Sequence, residues 1–269
     1  MLIGPPENPA TSASTHNVAV NTMELLEQAC AQAWPPIVDH RLGEWRLRAA
    51  GGFTGRANSA LAIGDPGMPV PHALRQVCEF AHSHGIRPVA QAIDGSPTEH
   101  AIGAAGWVPN VGHAAGHEVA VLAGPLATTI APGVTVLPAP NPHWWELTTG
   151  TTEPSEAQRH VLTGTAPAGY GVATVGARTV GAVRAALVGD QLHVARLEVR
   201  PPYRRRGLAR ALMGAAGAWA RDRGATRCVL QVSVRNAPAL ALYRRLGLVE
   251  HHRYRYWVPA EGTCEDPTS

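Results

Sequence analysis

The sequence predicts a mixed α/β (α+β) chain in two related halves, and three observations predict it. Glycine and proline supply 28 and 23 of the 269 residues, a density of chain punctuation that suits short strands and many turns rather than long helices. Near residue 200 an apolar, partly alternating run, a basic glycine loop and an alanine-rich stretch follow one another in the order strand, loop, helix. A fainter image of the helix–strand–helix series that follows stands in the first half of the chain.

Composition bounds the classes of function. At roughly 150 residues per domain the chain has room for one large or two small domains. Apolar residues at 45% with charged residues at 16% describe a chain able to bury a core. No apolar stretch is long enough for a membrane span. Residues 1–20 lack a basic start and an apolar run, so a loose tail and no secretory signal is expected. Cys30, Cys78, Cys228 and Cys264 stand singly; neither a zinc site nor a disulfide framework is expected of them, and the cytoplasm is the expected compartment. His82, His84, His113 and His117 lie near turn glycines without clustered acidic or thiol ligands, so no metal is expected.

Charge is divided unevenly. Residues 196–257 hold fourteen arginines against Glu198, Asp222 and Glu250, whereas the remaining residues carry nine arginines and seventeen acids. Such asymmetry points to an anionic ligand for the last third of the chain. Three of those arginines are consecutive in one loop.

The elements around that loop follow in order. Leu192–Val199 reads as a strand that ends before Pro201 and Pro202. Arg204, Arg205, Arg206, Gly207, Leu208, Ala209 and Arg210 form the loop and open a helix that stops at Gly224. A helix starting near Gly207 leaves its first N–H groups unpaired and its positive end exposed, which favours a phosphate or pyrophosphate. Val229–Val234 reads as the next strand. Asn236 can cap the helix after it, with Pro238 in its first turn and Gly247 stopping it.

Together, LEVRPPYRRRGLARAL and VSVRNAPALALYRRLGL resemble the acyl-CoA-binding core of the GNAT N-acetyltransferase superfamily. Its loop pattern of Gln or Arg, two residues, Gly, one residue, Gly or Ala stands here as Arg204-x-x-Gly207-x-Ala209. The resemblance covers about residues 134–258. It implies a mixed, mainly antiparallel sheet flanked by helices, acetyl-CoA as acyl donor with no metal, and a pantetheine arm held by the backbone at Leu197 and Val199. An N–H near Val199 would polarise the thioester carbonyl. Tyr243 matches the residue that commonly protonates the departing thiolate. Glu198 and His193 are the candidates for taking the amine proton; strand alternation puts them on opposite faces unless a bulge intervenes.

In the first half, Phe80-Ala-His-Ser-His-Gly85 parallels Trp219-Ala-Arg-Asp-Arg-Gly224, and Gln91 to Gly106-Trp107 parallels Gln231 to Gly247-Leu248. With GDPGMPVPHAL in place of the arginine loop, this copy is expected to bind no CoA. The chain thus resembles a tandem GNAT: a tail over 1–20, a degenerate domain over 21–123, a linker over 124–133, a catalytic domain over 134–258 and a tail over 259–269. WRLRAAGGFTGRANSAL, from Trp45 to Leu61, resembles a segment of an actinobacterial family of two-part proteins that includes an N-acetylglutamate synthase type. Its Arg48, Arg56 and Asn58 are expected to bind a carboxylate or other polar acceptor.

The activity so implied is acetyl transfer from acetyl-CoA to a primary amine of a small, carboxylate-bearing metabolite, by a monomer or homodimer with no membrane partner. Two other readings stand beside it: an aminoacyl-tRNA donor, which the excess positive charge would suit, and a non-catalytic acetyl-CoA-binding regulator.

Overall fold

The computed structural model describes residues 22–264; the expected tail over 1–20 lies outside the described residues, as does 265–269. The first half holds α1 (22–32), β1 (Val38–Leu42), β2 (Trp45–Ala49), β3 (Ala60–Leu61), α2 (Val70–Ser83), β4 (Ala90–Ile93), α3 (Pro97–Ala104), β5 (Trp107–Pro109) and β6 (Glu118–Gly124). The second holds β7 (Val134–Leu137), α4 (Pro142–Thr149), α5 (Glu156–Thr163), β8 (Ala168–Val175), β9 (Arg178–Val188), β10 (Gln191–Val199), α6 (Leu208–Arg221), β11 (Arg227–Ser233), α7 (Ala237–Arg245) and β12 (Val249–Pro259).

All twelve strands join one sheet in the order β1-β2-β3-β4-β12-β6-β11-β10-β9-β8-β7, with β5 pairing β12. Pairing is antiparallel except at β3/β4 and β10/β11. The two halves complete each other's sheets. β6 lies between β11 and β12, and β12 runs on to pair β4 and β5. Their sequences fit these places. EVAVLAG is a continuous apolar run with Val119, Ala120, Val121 and Leu122 buried, as a strand covered on both faces requires. In VEHHRYRYW, buried His252, Tyr254 and Tyr256 alternate with the more open Arg253 and Arg255, the period of a strand with two unlike faces.

The copies correspond as the sequence suggests. Gly85 and Gly224 follow α2 and α6 with φ of 62° and 91°, and Gly106 and Gly247 follow α3 and α7 with φ of 86° and 84°. Only glycine takes such angles without strain.

Two cores flank the second half's sheet. On one side Leu212, Met213 and Ala216 of α6 pack on Leu192, Val194 and Leu230. On the other, Trp34, Trp144, Trp145, Val161 and Leu162 pack on Ala182, Ala186 and Ala195. The segment joining β6 to β7 lies tightly on α6, where a Cβ at Gly214 or Gly217 would collide with the carbonyl oxygens of Thr129 and Ala127.

One expectation is corrected. Cys78 and Cys264 form a disulfide with Cα atoms 5.8 Å apart, although nothing in their spacing pairs them. The end of β12 returns beside the first half, and Ala260 N–H donates to Gly106 O there, so residues 186 apart in sequence meet.

Candidate active site

The loop after β10 folds as an anion cradle. Arg205 has φ of 63° and Gly207 φ of 80°, and no side chain caps α6. The first N–H groups of a helix have no intrahelical acceptor, so those at the start of α6 point into the loop with the positive end of the helix dipole. A Cβ at Gly207 would meet no protein atom within 4 Å; the space beside the backbone is open. Arg204, Arg205, Arg206 and Arg210 are exposed around it. Arg204 Nε donates to Val199 O (2.9 Å), and the Arg206 guanidinium lies 5.4 Å over the Tyr203 ring. At the corresponding place α2 begins with Pro69 as cap and Pro71 in its first turn, which removes two N–H donors.

Beside the cradle the two central strands part. β10 pairs β11 only from Gln191 to Val194. Arg200 N–H donates to Val180 O on β9 (2.8 Å), which makes Val199 and Gly181 a non-hydrogen-bonded pair. Val199 N–H therefore points away from β9, toward the gap that β11 has left. The side chains of Leu197 and Val199 pack against the α6 core.

A bulge decides what the other face presents. Ala195 pairs Arg184 and Glu198 pairs Ala182, so one extra residue sits on β10; Arg196 there has φ of 53°. His193 pairs Ala186. The partners Ala186, Arg184 and Ala182 alternate regularly along β9, so His193, Ala195 and Glu198 face one side, that of Trp34 and the second core.

The three reactive candidates differ in environment. Glu198 is exposed to solvent, yet desolvation raises its carboxyl above its usual value against the opposing pull of Arg204 and Arg196. His193 is buried, and desolvation followed by Arg184 and Arg56 lowers it to about 3, so it is neutral and a poor base. Tyr243 on α7 is buried at 7% exposure; desolvation raises its phenol, with smaller contributions from Cys228 and the Glu198 carboxylate, so it holds its proton. Asn236 accepts from Ala239 N–H (3.2 Å) as the cap of α7.

The residues assigned to the acceptor from Trp45–Leu61 divide. Asn58 commits its whole amide to the Gly51-Gly52 turn, accepting from Ala50 and Gly52 N–H and donating to Ala50 and Thr54 O, so it is a turn residue and not a free ligand donor. Arg48 is 1% exposed and is held by Ser59 O, Ser59 Oγ and Gln91 Oε1; it braces the interior of the first half. Arg56 instead crosses to the second half, donating to Gln231 Oε1 (2.9 Å) and Gln231 O (3.1 Å) and lying 5.3 Å over the Trp34 ring. Trp34, Arg184 and Arg196 also line this face and escape the sequence reading. The signals were an arginine inside the apolar run TVGAVRAALV and a tryptophan before Pro35-Pro36.

Among the described residues no three His, Cys, Asp or Glu side chains are grouped to hold a metal ion, and no helix is long and apolar enough to cross a membrane.

Comparison with known proteins identifies a family and a fold. Residues 22–257 match the family described as "Probable histone acetyltransferase Rv0428c C-terminal". Streptothricin acetyltransferase of Streptomyces lavendulae is 43% identical over 58 residues, which span 22% of this chain and 31% of that protein. A GCN5-related N-acetyltransferase from Kribbella flavida superposes with a TM-score of 0.65 at 16% identity, covering 89% of this chain and 96% of its own. A tandem GNAT protein from the clavulanic acid biosynthesis pathway gives 0.56 at 14% identity over 90% and 94%. With the family matched over nearly all the described residues and the fold shared with solved GNAT structures, a tandem one among them, the chain belongs to the Rv0428c C-terminal acetyltransferase family and has the GNAT fold.

Proposed function

We propose that the second half transfers an acetyl group from acetyl-CoA to the primary amine of a small carboxylate-bearing molecule. The observation that carries this reading is the parting of β10 from β11 after Val194, with the donor cradle of α6 at one end and Glu198 on the opposite face. The residues present fit the donor. The free N–H groups of α6 and the arginines 204–206 and 210 would take its pyrophosphate, the open space at Gly207 admits it, and the backbone at Leu197 and Val199 would take the pantetheine arm. Acetyl-CoA, when bound, supplies the activated acetyl carbonyl.

The chain's own groups do the rest. Glu198, with its raised carboxyl, takes a proton from the incoming ammonium more readily than an ordinary carboxylate would. Val199 N–H donates to the carbonyl oxygen as negative charge develops on it. Tyr243 gives its phenolic proton to the departing sulfur. Trp34, Phe53 and Arg56 of the first half wall the acceptor side, which suits a small molecule better than a protein chain.

The test is to incubate the chain with acetyl-CoA and a panel of small amines, with and without carboxylates, and to identify products by mass spectrometry while following release of CoA thiol. N-acetylated product with matching thiol release is expected. Thiol release with none of the amines would overturn the reading.

A further inference from the structure

We propose that Arg184, His193, Trp34 and Arg196 form a buried site for the carboxylate of the acceptor, on the sheet face shared with Glu198; this assignment rests on the acetyl-transfer reading of that face. Among the described residues six buried side-chain polar atoms lack a hydrogen-bond partner, and five belong to these residues: Arg184 Nη2, both ring nitrogens of His193, Trp34 Nε1 and Arg196 Nε. Buried polar groups are nearly always satisfied, so orphans gathered in one place mark a missing partner.

They are gathered. Arg184 pairs Ala195 and His193 pairs Ala186, which puts both side chains on one face. The Trp34 and His193 rings meet edge to face with centroids 6.0 Å apart, and the Arg184 guanidinium lies 5.7 Å from the Trp34 ring centre. Arg184 is fully buried; its Nε donates to Leu162 O (2.8 Å) and its Nη1 to Ala33 O (2.7 Å). These bonds fix its direction and leave one nitrogen unused. The bulge turns Arg196 toward the same face, 4.6 Å over the Phe53 ring.

The chemistry of the missing partner follows from the atoms. The arginine and indole nitrogens only donate, and neutral imidazole donates from one nitrogen. Arg184 has no carboxylate neighbour among the described ion pairs; the charged group it feels most after Tyr170 is Arg196, of its own sign. A buried cation without a counter-charge is costly. A water could accept two of these bonds without neutralising anything, whereas a carboxylate offers two oxygens and one negative charge. Glu198, on the same face, is placed to receive the amine end of the same molecule. Phe53 packs against the second core beside the cluster and follows the Gly51-Gly52 turn, whose amides Asn58 holds in place.

The test compares kcat/KM for acetylation of amino acids and of the corresponding amino amides. The carboxylates are expected to be preferred at least tenfold, and the preference should collapse in Arg196→Asn and Arg184→Met through a higher KM for the carboxylate, with the acetyl-CoA dissociation constant unmoved. Asparagine tolerates the left-handed backbone at 196, so the first variant carries the test if the second fails to fold. Quenching of tryptophan fluorescence by acetate and by inorganic phosphate is read in parallel, with Trp34→Phe as control. Equal use of acids and amides overturns the site and leaves the acetyl-transfer reading standing. Saturable acetate quenching lost in Arg196→Asn, with no amine acetylated, keeps an anion site and overturns the acetyl-transfer reading. Tighter binding of phosphate than acetate, or no saturable effect of either anion, overturns the carboxylate assignment.

Discussion

His193 and Glu198 lie on the same face of β10 although they are five positions apart, because the bulge at Arg196 inserts one residue between their registers. Strict alternation would have aimed one of them into the α6 core. Instead both face the side of Trp34 and the second core, and their environments differ: the exposed carboxyl of Glu198 is raised above its ordinary value, while the enclosed imidazole of His193 is lowered to about 3.

Glu198 therefore sets the acidic limb of the pH–rate profile. Its raised carboxyl puts that limb above the ordinary carboxylate range, with activity present when Glu198 is ionised and lost as pH falls through its pKa. Glu198→Gln should lower kcat/KM by about 10²–10³ and flatten the limb. His193→Gln should leave the limb in place, since a group titrating near 3 cannot shape a profile at pH 5–8. A limb that disappears with His193→Gln would reverse the assignment.

Tyr243→Phe keeps the buried ring and removes only the proton donor. The expected loss is about ten- to a hundredfold in kcat, with acetyl-CoA affinity within a few fold of the native chain by calorimetry. Undiminished kcat would make Tyr243 a packing residue.

His193 also links stability to acid. Its folded-state value of about 3 lies below the ordinary 6.5 or so, so the stability it leaves intact above pH 6.5 is lost as pH falls toward 3. At pH 4.5 the difference amounts to about 2–3 kcal/mol. Denaturant titrations of His193→Gln should show a shallower decline between pH 6.5 and 4.5 than the native chain; parallel curves would contradict the burial argument.

The Cys78–Cys264 bridge ties the end of the chain to α2. Cys264→Ser, or reduction of the native protein, should lower unfolding free energy by about 2–4 kcal/mol while acetyl-CoA binding at the distant α6 cradle is unchanged. Denaturant curves with and without reductant check the first part and calorimetry the second.

What was legible in the sequence was whatever local chemistry dictates. The strand ending before Pro201-Pro202, the glycine that α6 needs at 207, and the Asn236 cap of α7 each follow from backbone geometry and capping within a few residues. The paired glycines 85 with 224 and 106 with 247 exposed the internal repeat for the same reason. The exchange of β6 and β12 between the halves was not legible, because strand pairing at long range leaves no mark on either strand beyond its burial pattern. The donor cluster escaped likewise. Trp34, Arg184 and Arg196 come from a helix end and two strands, and only the bulge and the register of β9 against β10 bring them together. Arg48 and Asn58 looked like ligand donors because their polarity is local, while the partners that occupy them, Ser59, Gln91 and the turn amides, are visible only in the fold.

Calorimetric titration of the intact chain with acetyl-CoA tests the central claim, that one cradle, in the second half, binds the donor. One equivalent per chain is expected. Gly207→Val, which places a branched side chain at φ of 80° in the open space of the cradle, should weaken binding at least tenfold without lowering helix content. Two equivalents per chain, or an unchanged dissociation constant in Gly207→Val, would contradict it.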